Sequence, residues 1–184
     1  MVNRIRIGVC GYATSGKDVV ASALVEHRGF VRLNMSDPLM RDLSVMDPLV
    51  DVAGNAHRLS TLLNRHSFDE LKAVSTDFRQ LLQRYGTDVW RTVDEDTWVR
   101  RVEQEAARYE RVVTTGIRFA NELRGIDVLV HVSRPGVGPV NGHVSDAGIS
   151  AITRLADYHL HNDGSIEDLE RATLVLADSL LGGE

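Results

Sequence analysis

The sequence of 184 residues holds a single cysteine, Cys10, only four prolines, few aromatic residues and no long hydrophobic run. One cysteine cannot close an internal disulfide, and its place in an apolar stretch indicates a buried small side chain. The first residues alternate charged with apolar side chains, which is unlike a signal peptide, and no segment approaches the ~20 apolar residues of a membrane span. We therefore expect a cytoplasmic protein that has no membrane partner.

Positive charge is also in deficit, since 21 lysines and arginines stand against 26 aspartates and glutamates, for a net charge of -5 at pH 7. A protein that binds nucleic acid needs a clustered positive surface to neutralise phosphates, so we expect no nucleic-acid partner. The hydrophobic fraction of 43% and the charged fraction of 26% are typical of a folded globular chain, and the length fits one domain.

Strand-like and helix-like segments alternate along the chain, which predicts an α/β fold with a parallel sheet flanked by helices. The predicted strands cover residues 5–10, 30–33, 111–115, 127–132 and 158–161. The first predicted helix covers 19–25, and the second runs from Asp37-Pro38 to about Met46. Two or three helices are predicted within 58–111, with a break at Gly86-Thr87. The last predicted helix follows the cap Ser165. The glycine-rich residues 135–150 predict a surface loop that serves as a lid.

The strongest motif is the segment Gly11 to Asp18, in which two glycines five residues apart are followed at once by lysine. This is the P-loop pattern, and it lies between the first strand and a helix, where backbone N–H groups can surround phosphate oxygens. The motif predicts that Lys17 reaches the β- and γ-phosphates of a nucleotide. The loop residues expected to hold those phosphates are Gly11, Thr14, Ser15, Gly16, Lys17 and Asp18. The alternative is an ordinary glycine-containing turn.

Asp18 stands where the P-loop pattern has a serine or threonine that binds Mg²⁺. We expect its carboxylate to bind magnesium directly or through a water molecule. The alternative is an acid that only favours the positive end of the helix. A second acidic ligand normally ends a neighbouring strand, yet the strand at 112–115 runs into Gly116. The predicted metal site therefore relies on Asp18.

With the loop placed, the chain resembles the deoxynucleoside monophosphate kinases of bacteriophages, a branch of the P-loop kinases. The resemblance spans nearly the whole chain and rests on Gly11–Asp18, Asp37-Pro38, Arg79–Trp98, Arg118–Glu122, Arg134–Gly136, His143 and Asn162–Ser165. It implies transfer of the γ-phosphate of ATP to a nucleoside monophosphate, with Mg²⁺, for deoxynucleotide supply in phage DNA synthesis in the host cytoplasm. Monomer and homodimer both stay open.

The resemblance also divides the chain into a P-loop core at about 1–35 and 110–184, a helical acceptor-binding region at about 36–109, and a lid at about 134–156. The residues that it places at the acceptor are Asp37, Arg79, Gln83, Gly86, Thr87, Arg91, Trp98, Arg118 and Glu122. Arginines suit a phosphate, and Trp98 can stack on the base or pack beneath it. The alternative is a solvated basic helix face with a core tryptophan, and Asp37 can equally be a helix cap.

Arg118 is expected to bind phosphate while Glu122, four residues later, fixes it by a charge-assisted bond; a purely structural pair is the alternative. Arg134 opens the lid, and we rank it above Arg154 as a positive charge at the transferring phosphoryl group. The predicted catalytic residues are thus Lys17, Asp18, Arg118 and Arg134. His143 is expected to form hydrogen bonds in the lid. Asn162 and Gly164 resemble the turn that borders the adenine of ATP.

Two other functions stay open. Phosphomevalonate and dephospho-coenzyme A kinases share the loop and the general plan, and phosphomevalonate kinases also have Ser-Gly-Lys-Asp in the loop. A nucleotide-binding regulatory protein with a decayed catalytic site is the other, since Gly116 and Met40 depart from the family pattern. The segment from Gly86 to Trp98 favours a nucleotide acceptor.

Overall fold

The computed structural model describes residues 4–138 and 144–182. The chain forms two compact units, one of Met1–Met35 with Arg101–Glu184 and the other of Ser36–Arg100. We call them the sheet unit and the helical unit. None of the helices in the described ranges is both long and apolar enough to cross a lipid bilayer.

The elements follow one another in an alternating order. The strands are β1 (Ile5–Cys10), β2 (Val31–Asn34), β3 (Leu49–Val52), β4 (Asn55–Arg58), β5 (Arg111–Thr115), β6 (Val128–Ser133) and β7 (Tyr158–His161). The α-helices are α1 (Lys17–Arg28), α2 (Asp37–Met46), α3 (Leu59–Leu63), α4 (Phe68–Val74), α5 (Thr76–Gln83), α6 (Arg91–Val93), α7 (Thr97–Ala106), α8 (Val144–Thr153) and α9 (Ile166–Leu181). A π-helix covers Arg84–Trp90 and a 3-10 helix covers Ala120–Leu123.

The sheet unit is built on five parallel strands in the order β2-β5-β1-β6-β7. Ile7 of β1 pairs with Val113 of β5 on one side and with Val128 of β6 on the other. Because helices cover such a sheet on both faces, its central strand is mostly apolar. The five predicted strands are confirmed, with β2 and β6 displaced by one residue.

Two apolar clusters stabilise the sheet unit. In one, Ile7 and Val9 pack with residues of α1 and α9, among them Leu24 and Leu169. In the other, Leu129 packs with residues that include Cys10, Ile117 and Ile152 of α8. Burial of each large aliphatic side chain contributes roughly 1.5–3 kcal/mol. The clusters thereby fix the segments that follow β1, β5 and β6.

Local hydrogen bonds determine where α1 ends and where α9 begins. Helix α1 ends at Gly29, whose φ of 68° allows its N–H to bond to the carbonyl of Leu24. Helix α9 begins after Ser165, whose side chain accepts a hydrogen bond from the N–H of Asp168. The predicted cap at Ser165 is therefore confirmed.

The helical unit contains α2 to α6, the first residues of α7, and the antiparallel hairpin β3–β4. Its core is a cluster of buried side chains from α2, β3, α3, α4, α5 and α7, namely Leu39, Leu43, Val50, Leu59, Leu62, Leu71, Phe78 and Trp98. The sequence pattern did not predict the hairpin, whose turn residues Ala53 and Gly54 both have positive φ. A two-residue turn of this kind matches the twist of the two strands.

Two predictions are wrong, namely the helix break at Gly86-Thr87 and the continuous loop over 135–150. Residues Gly86 and Thr87 do not break the helix, because the π-helix continues directly from α5. A Cβ on Gly86 would lie 3.0 Å from Leu39, so close packing accounts for this glycine. The loop predicted over 135–150 gives way to α8 from Val144, and Gly148 lies within that helix. The predicted lid residues 139–143, including His143, lie outside the described residues.

Candidate functional site

The segment from Gly11 to Asp18 connects β1 to α1, as predicted. Gly11 has a φ of 150° and Gly16 a φ of 107°, and Thr14 also has a positive φ of 65°. A Cβ on Gly11 would collide with the carbonyl oxygen of Val132, so no larger residue fits there. The N–H of Ser15 bonds to the carbonyl of Tyr12 at 3.2 Å. The backbone therefore curls tightly ahead of the helix, which is the form that presents successive N–H groups to an anion.

The turn after β7 supports this loop from one side. The side-chain amide of Asn162 donates to the carbonyl of Ser15, and the N–H of Asn162 bonds to the carbonyl of Ser133 at 2.8 Å. Gly164 lies close to Asp168, because a Cβ on this glycine would be 2.8 Å from the carboxylate of that residue. Asn162 thus contacts the phosphate loop, whereas Gly164 packs at the start of α9.

The hydroxyl of Ser15 is buried within the loop. Ser15 is 1% exposed, and among the residues that the structure describes its oxygen has no hydrogen-bond partner. Leaving a buried hydroxyl without a partner costs about 1–3 kcal/mol, so an unpaired one calls for an explanation. The orphaned hydroxyl is consistent with a loop that receives a polar ligand.

Lys17 and Asp18 stand at the first turn of α1. The ammonium of Lys17 lies 3.5 Å from the carbonyl of Tyr12 and 3.8 Å from the carboxylate of Asp18. The guanidinium of Arg32 on β2 also donates to this carboxylate. Arg32 belongs to no sequence motif, and its contact with Asp18 arises only when β2 joins the sheet, so the sequence alone did not indicate it.

Asp18 is the residue of the loop whose carboxylate can bind a magnesium ion. Within residues 4–138 and 144–182, no group of three or more histidine, cysteine, aspartate or glutamate side chains could hold a metal. Mg²⁺ is commonly bound by one or two carboxylates together with substrate phosphates and water. The carboxylate of Asp18 is of the chemical type that fits that arrangement.

The end of β5 explains why a carboxylate is missing there. Gly116 has a φ of 76°, and its Cβ would collide with the side-chain oxygen of Asn34. The amide nitrogen of Asn34 donates to the hydroxyl of Thr115 at 3.1 Å. The side chain of Asn34 therefore occupies the space that an aspartate at position 116 would need.

Glu122 holds the segment after β5. Its carboxylate is 5% exposed and accepts hydrogen bonds from the N–H of Arg118 at 2.6 Å and of Phe119 at 3.1 Å. Glu122 thus contacts Arg118 through its backbone. Gly148 of α8 packs directly on the Arg118 carbonyl, where a Cβ would collide. These contacts fix the backbone from which the Arg118 side chain extends.

Helix α8 also contacts the phosphate loop. The hydroxyl groups of Tyr12 and Ser150 lie 2.7 Å apart and form a hydrogen bond. Arg134, the arginine predicted to open the lid, directly follows β6. Its carbonyl accepts a hydrogen bond from the N–H of Val137 at 3.1 Å. The segment predicted as a lid therefore contacts the loop through a helix.

The remaining acceptor candidates belong to the helical unit. Arg79 lies on α5, where its guanidinium donates to the carbonyl of Lys72. Trp98 is 4% exposed and donates through its ring N–H to the carbonyl of Gly86 at 2.9 Å. This burial favours packing over base stacking for Trp98. The others are Asp37 at the start of α2, Gln83 at the end of α5, Thr87 in the π-helix and Arg91 at the start of α6.

Two groups near the phosphate loop have shifted pKa values. Burial raises the pKa of the Cys10 thiol, at the end of β1, from 9.0 to about 11. On β6, burial lowers the pKa of His131, and the nearby His159 and His161 lower it further. The Nδ1 atoms of His131 and His159 lie 3.3 Å apart. The raised pKa lowers the thiolate fraction of Cys10, and the lowered pKa disfavours protonation of His131.

Comparison with known proteins places the chain in a family. A family model described as deoxynucleotide monophosphate kinase matches residues 55–173, more than half of the chain. A protein of Acanthamoeba polyphaga mimivirus, provisionally named deoxynucleotide monophosphate kinase, is 24% identical over 95% of this chain and 97% of its own length. The Gly11–Asp18 loop precedes the matched residues, so the family match and the loop are independent observations.

Solved structures agree on the fold. Shikimate kinase from Acinetobacter baumannii in complex with shikimate has a TM-score of 0.54 at 16% identity, covering 96% of this chain and 94% of its own. Dephospho-CoA kinase from Campylobacter jejuni has a TM-score of 0.50 at 8% identity, covering 98% of both chains. At these identities the likeness concerns the fold alone. The match over residues 55–173 shows that the protein belongs to the deoxynucleotide monophosphate kinase family. It is a nucleotide-binding kinase with the P-loop fold.

Proposed function

We propose that the protein transfers the γ-phosphate of ATP to a deoxynucleoside 5'-monophosphate and so produces the diphosphate. The observation that carries this proposal is the phosphate loop, with Lys17 at its end, in a chain whose following residues match the deoxynucleotide monophosphate kinase family. The role that we propose is deoxynucleotide supply for phage DNA synthesis, in the cytoplasm of the host.

The donor is magnesium–ATP. Its β- and γ-phosphates are held by the loop amides and the ammonium of Lys17, because N–H groups at a helix N-terminus and a nearby cation both attract phosphate oxygens. Asp18 supplies a carboxylate for the magnesium that accompanies the nucleotide. Asn162, which supports the loop from behind, lies at the turn that we assign to the adenine border.

The acceptor phosphate is the nucleophile. One of its oxygens bonds to the γ-phosphorus of ATP, the bond from that phosphorus to the β,γ-bridging oxygen breaks, and ADP leaves with the electron pair. Because the acceptor oxygen is already anionic, the reaction needs positioning and positive charge rather than a strong base. We assign that positive charge to Lys17, Arg118 and Arg134.

We assign the acceptor to residues of the helical unit. The phosphate-binding candidates are Arg79 and Arg91, and the hydrogen-bonding candidates are Asp37, Gln83, Gly86 and Thr87. Trp98 supports this region from the core, because it bonds to the carbonyl of Gly86. A dimer is not required by any of these assignments.

The test is an ADP-formation assay with ATP, Mg²⁺ and each common deoxynucleoside and ribonucleoside monophosphate, together with phosphomevalonate and dephospho-coenzyme A. We expect turnover with at least one deoxynucleotide and none with the last two compounds. Lys17→Ala should abolish turnover, whereas Lys72→Ala, which removes an ion pair with Asp69 on α4, should not. Tight ATP binding without transfer to any acceptor would instead identify a regulatory protein.

A further inference from the structure

We propose that Arg32 is a positioning residue of the donor site, which competes with Lys17 for the carboxylate of Asp18 and so keeps the Lys17 ammonium 3.8 Å from it, beyond hydrogen-bond distance. The inference deepens the proposed function and rests on its assignment of Lys17 to the nucleotide. It starts from the departure of this loop from the common pattern, in which the residue after the lysine is an uncharged serine or threonine.

An aspartate next to the loop lysine creates an electrostatic problem. The carboxylate of Asp18 lies 3.8 Å from the Lys17 ammonium, within ion-pair range but beyond hydrogen-bond distance, and a carboxylate without another partner would close this gap to a direct pair. Such a pair would turn the ammonium away from an incoming phosphate. The carboxylate also adds a negative charge beside the negative polyphosphate, which a serine or threonine would not do.

Arg32 opposes both effects of the Asp18 carboxylate, its attraction for Lys17 and its negative charge. Its guanidinium donates a hydrogen bond to Oδ1 of Asp18, while Lys17 is nearer to Oδ2 of the same carboxylate. The positive charge of Arg32 offsets the negative charge of Asp18, so the three side chains together carry the single positive charge of an ordinary loop. An arginine suits this role because its planar group remains charged and holds a carboxylate in a defined direction.

The position of Arg32 is determined by the pairing of the strands in the sheet. Arg32 lies on β2 and is in register with Val113 of β5, and β5 in turn pairs with β1, which leads into the phosphate loop. The Arg32 side chain is 35% exposed and that of Asp18 is 64% exposed, so the pair lies at the surface of the sheet unit and is accessible to a nucleotide. Exposed pairs contribute little to stability, which leaves the direction of the carboxylate as the useful effect.

A double-mutant cycle of Arg32→Ala and Asp18→Ser tests the proposal by kinetics. With Asp18 present, Arg32→Ala should lower kcat about tenfold with little change in the KM of the acceptor. In the Asp18→Ser background, the same substitution should change kcat by less than about twofold, because there is no carboxylate to capture the lysine. Equal losses in the two backgrounds would overturn the proposal. Arg32→Lys should restore part of the activity.

A second readout needs neither nucleotide nor turnover. The rate at which acetic anhydride acetylates Lys17 in the ligand-free protein, followed by mass spectrometry, reports the fraction of neutral amine. Arg32→Ala should slow this acetylation about fivefold when Asp18 is present, because the lysine then pairs with the carboxylate, and should leave it nearly unchanged in the Asp18→Ser background. An unchanged rate when Asp18 is present would overturn the proposal even if the kinase activity is confirmed.

The matched control is Arg28→Ala, which removes an ion pair between Arg28, at the end of α1, and Asp178 of α9. It should alter neither kcat nor the acetylation of Lys17. The two readouts also separate the two hypotheses. If the wild-type protein transfers no phosphate to any acceptor, the proposed function fails, while the acetylation rates still decide whether Arg32 controls Asp18.

Discussion

Asn162 lies directly behind the phosphate loop: its side-chain amide donates to the carbonyl of Ser15 at 2.9 Å and lies 2.6 Å from the point that a Cβ on Gly16 would occupy. The turn after β7 and the loop after β1 are therefore packed without space for one additional methyl group. This relationship makes the shape of the loop sensitive to a very small change.

We predict that Gly16→Ala weakens ADP binding at least about tenfold, which is about 1.4 kcal/mol of binding free energy. The new methyl group would push on Asn162 and Leu169, and the φ of 107° at this position disfavours any side chain. Isothermal titration with magnesium–ADP measures the change. Gly29→Ala is the matched control, since Gly29 also has a positive φ but has open space around it.

The control variant should lower the free energy of unfolding by about 1–2 kcal/mol, because of its left-handed backbone, and leave ADP affinity unchanged. If both glycine variants bind ADP as tightly as the wild type, the loop is not a tightly packed phosphate site.

The raised pKa of Cys10 predicts a pH dependence of stability. The folded protein keeps the thiol proton up to about pH 11, whereas the unfolded chain releases it from 9.0. Folding therefore binds a proton in this window, and stability should fall by roughly 2–3 kcal/mol as the pH rises through it. Urea unfolding at a series of pH values from about 8 to about 11 measures this loss.

Cys10→Ala provides the comparison, because it removes the thiol and should flatten that part of the pH profile. In the native wild-type protein at neutral pH, iodoacetamide should alkylate Cys10 far more slowly than in the unfolded chain. Rapid alkylation of the native protein would contradict the burial of this thiol.

The lowered pKa of His131 predicts the opposite dependence at acidic pH. The unfolded chain takes up a proton near 6.5, while the folded protein resists protonation of this partly buried ring, so stability should be lost as the pH falls through that window. NMR titration of the histidine rings should show His131 titrating below 6.5. His159→Ala should raise the pKa of His131, without restoring it fully, since burial is the larger cause. An ordinary titration of His131 in the wild type would refute this.

Trp98→Phe tests whether this residue packs in the core or stacks on the base. Loss of the ring N–H leaves the carbonyl of Gly86 without this donor, so the free energy of unfolding should fall by about 1–3 kcal/mol. The KM of the acceptor should change little. Trp90→Phe, at a site that is 36% exposed, should be much milder. A large increase in KM with unchanged stability would favour the stacking role.

The parts of the fold that could be predicted from the sequence are those determined by local pattern. The apolar run of β1, the glycines of the loop and the helix after Lys17 are neighbours in the chain, so their order alone indicated a phosphate site. The cap at Ser165 was predictable for the same reason, because its partner Asp168 is three residues away.

Two of the parts that could not be predicted depend on distant contacts, and a third lacks a recognisable sequence pattern. Gly148 looks like a loop residue, yet it belongs to α8 because the helix packs against the carbonyl of Arg118. The hairpin β3–β4 has exposed residues along most of its length and so lacks the alternation that marks a strand. Arg32 meets Asp18 only through the pairing of β2 with β5. Gly148 and Arg32 thus depend on partners that are distant in sequence, whereas the hairpin pairs neighbouring residues but shows too little alternation to be recognised.

The most direct test of the central claim follows the phosphoryl group itself. The purified protein is incubated with [γ-³²P]ATP, Mg²⁺ and a deoxynucleoside monophosphate, and the products are separated by thin-layer chromatography. We expect the label in the deoxynucleoside diphosphate, with an equal amount of ADP formed and none with Lys17→Ala. Label that stays in ATP with every deoxynucleotide, or appears only as inorganic phosphate, would contradict the account.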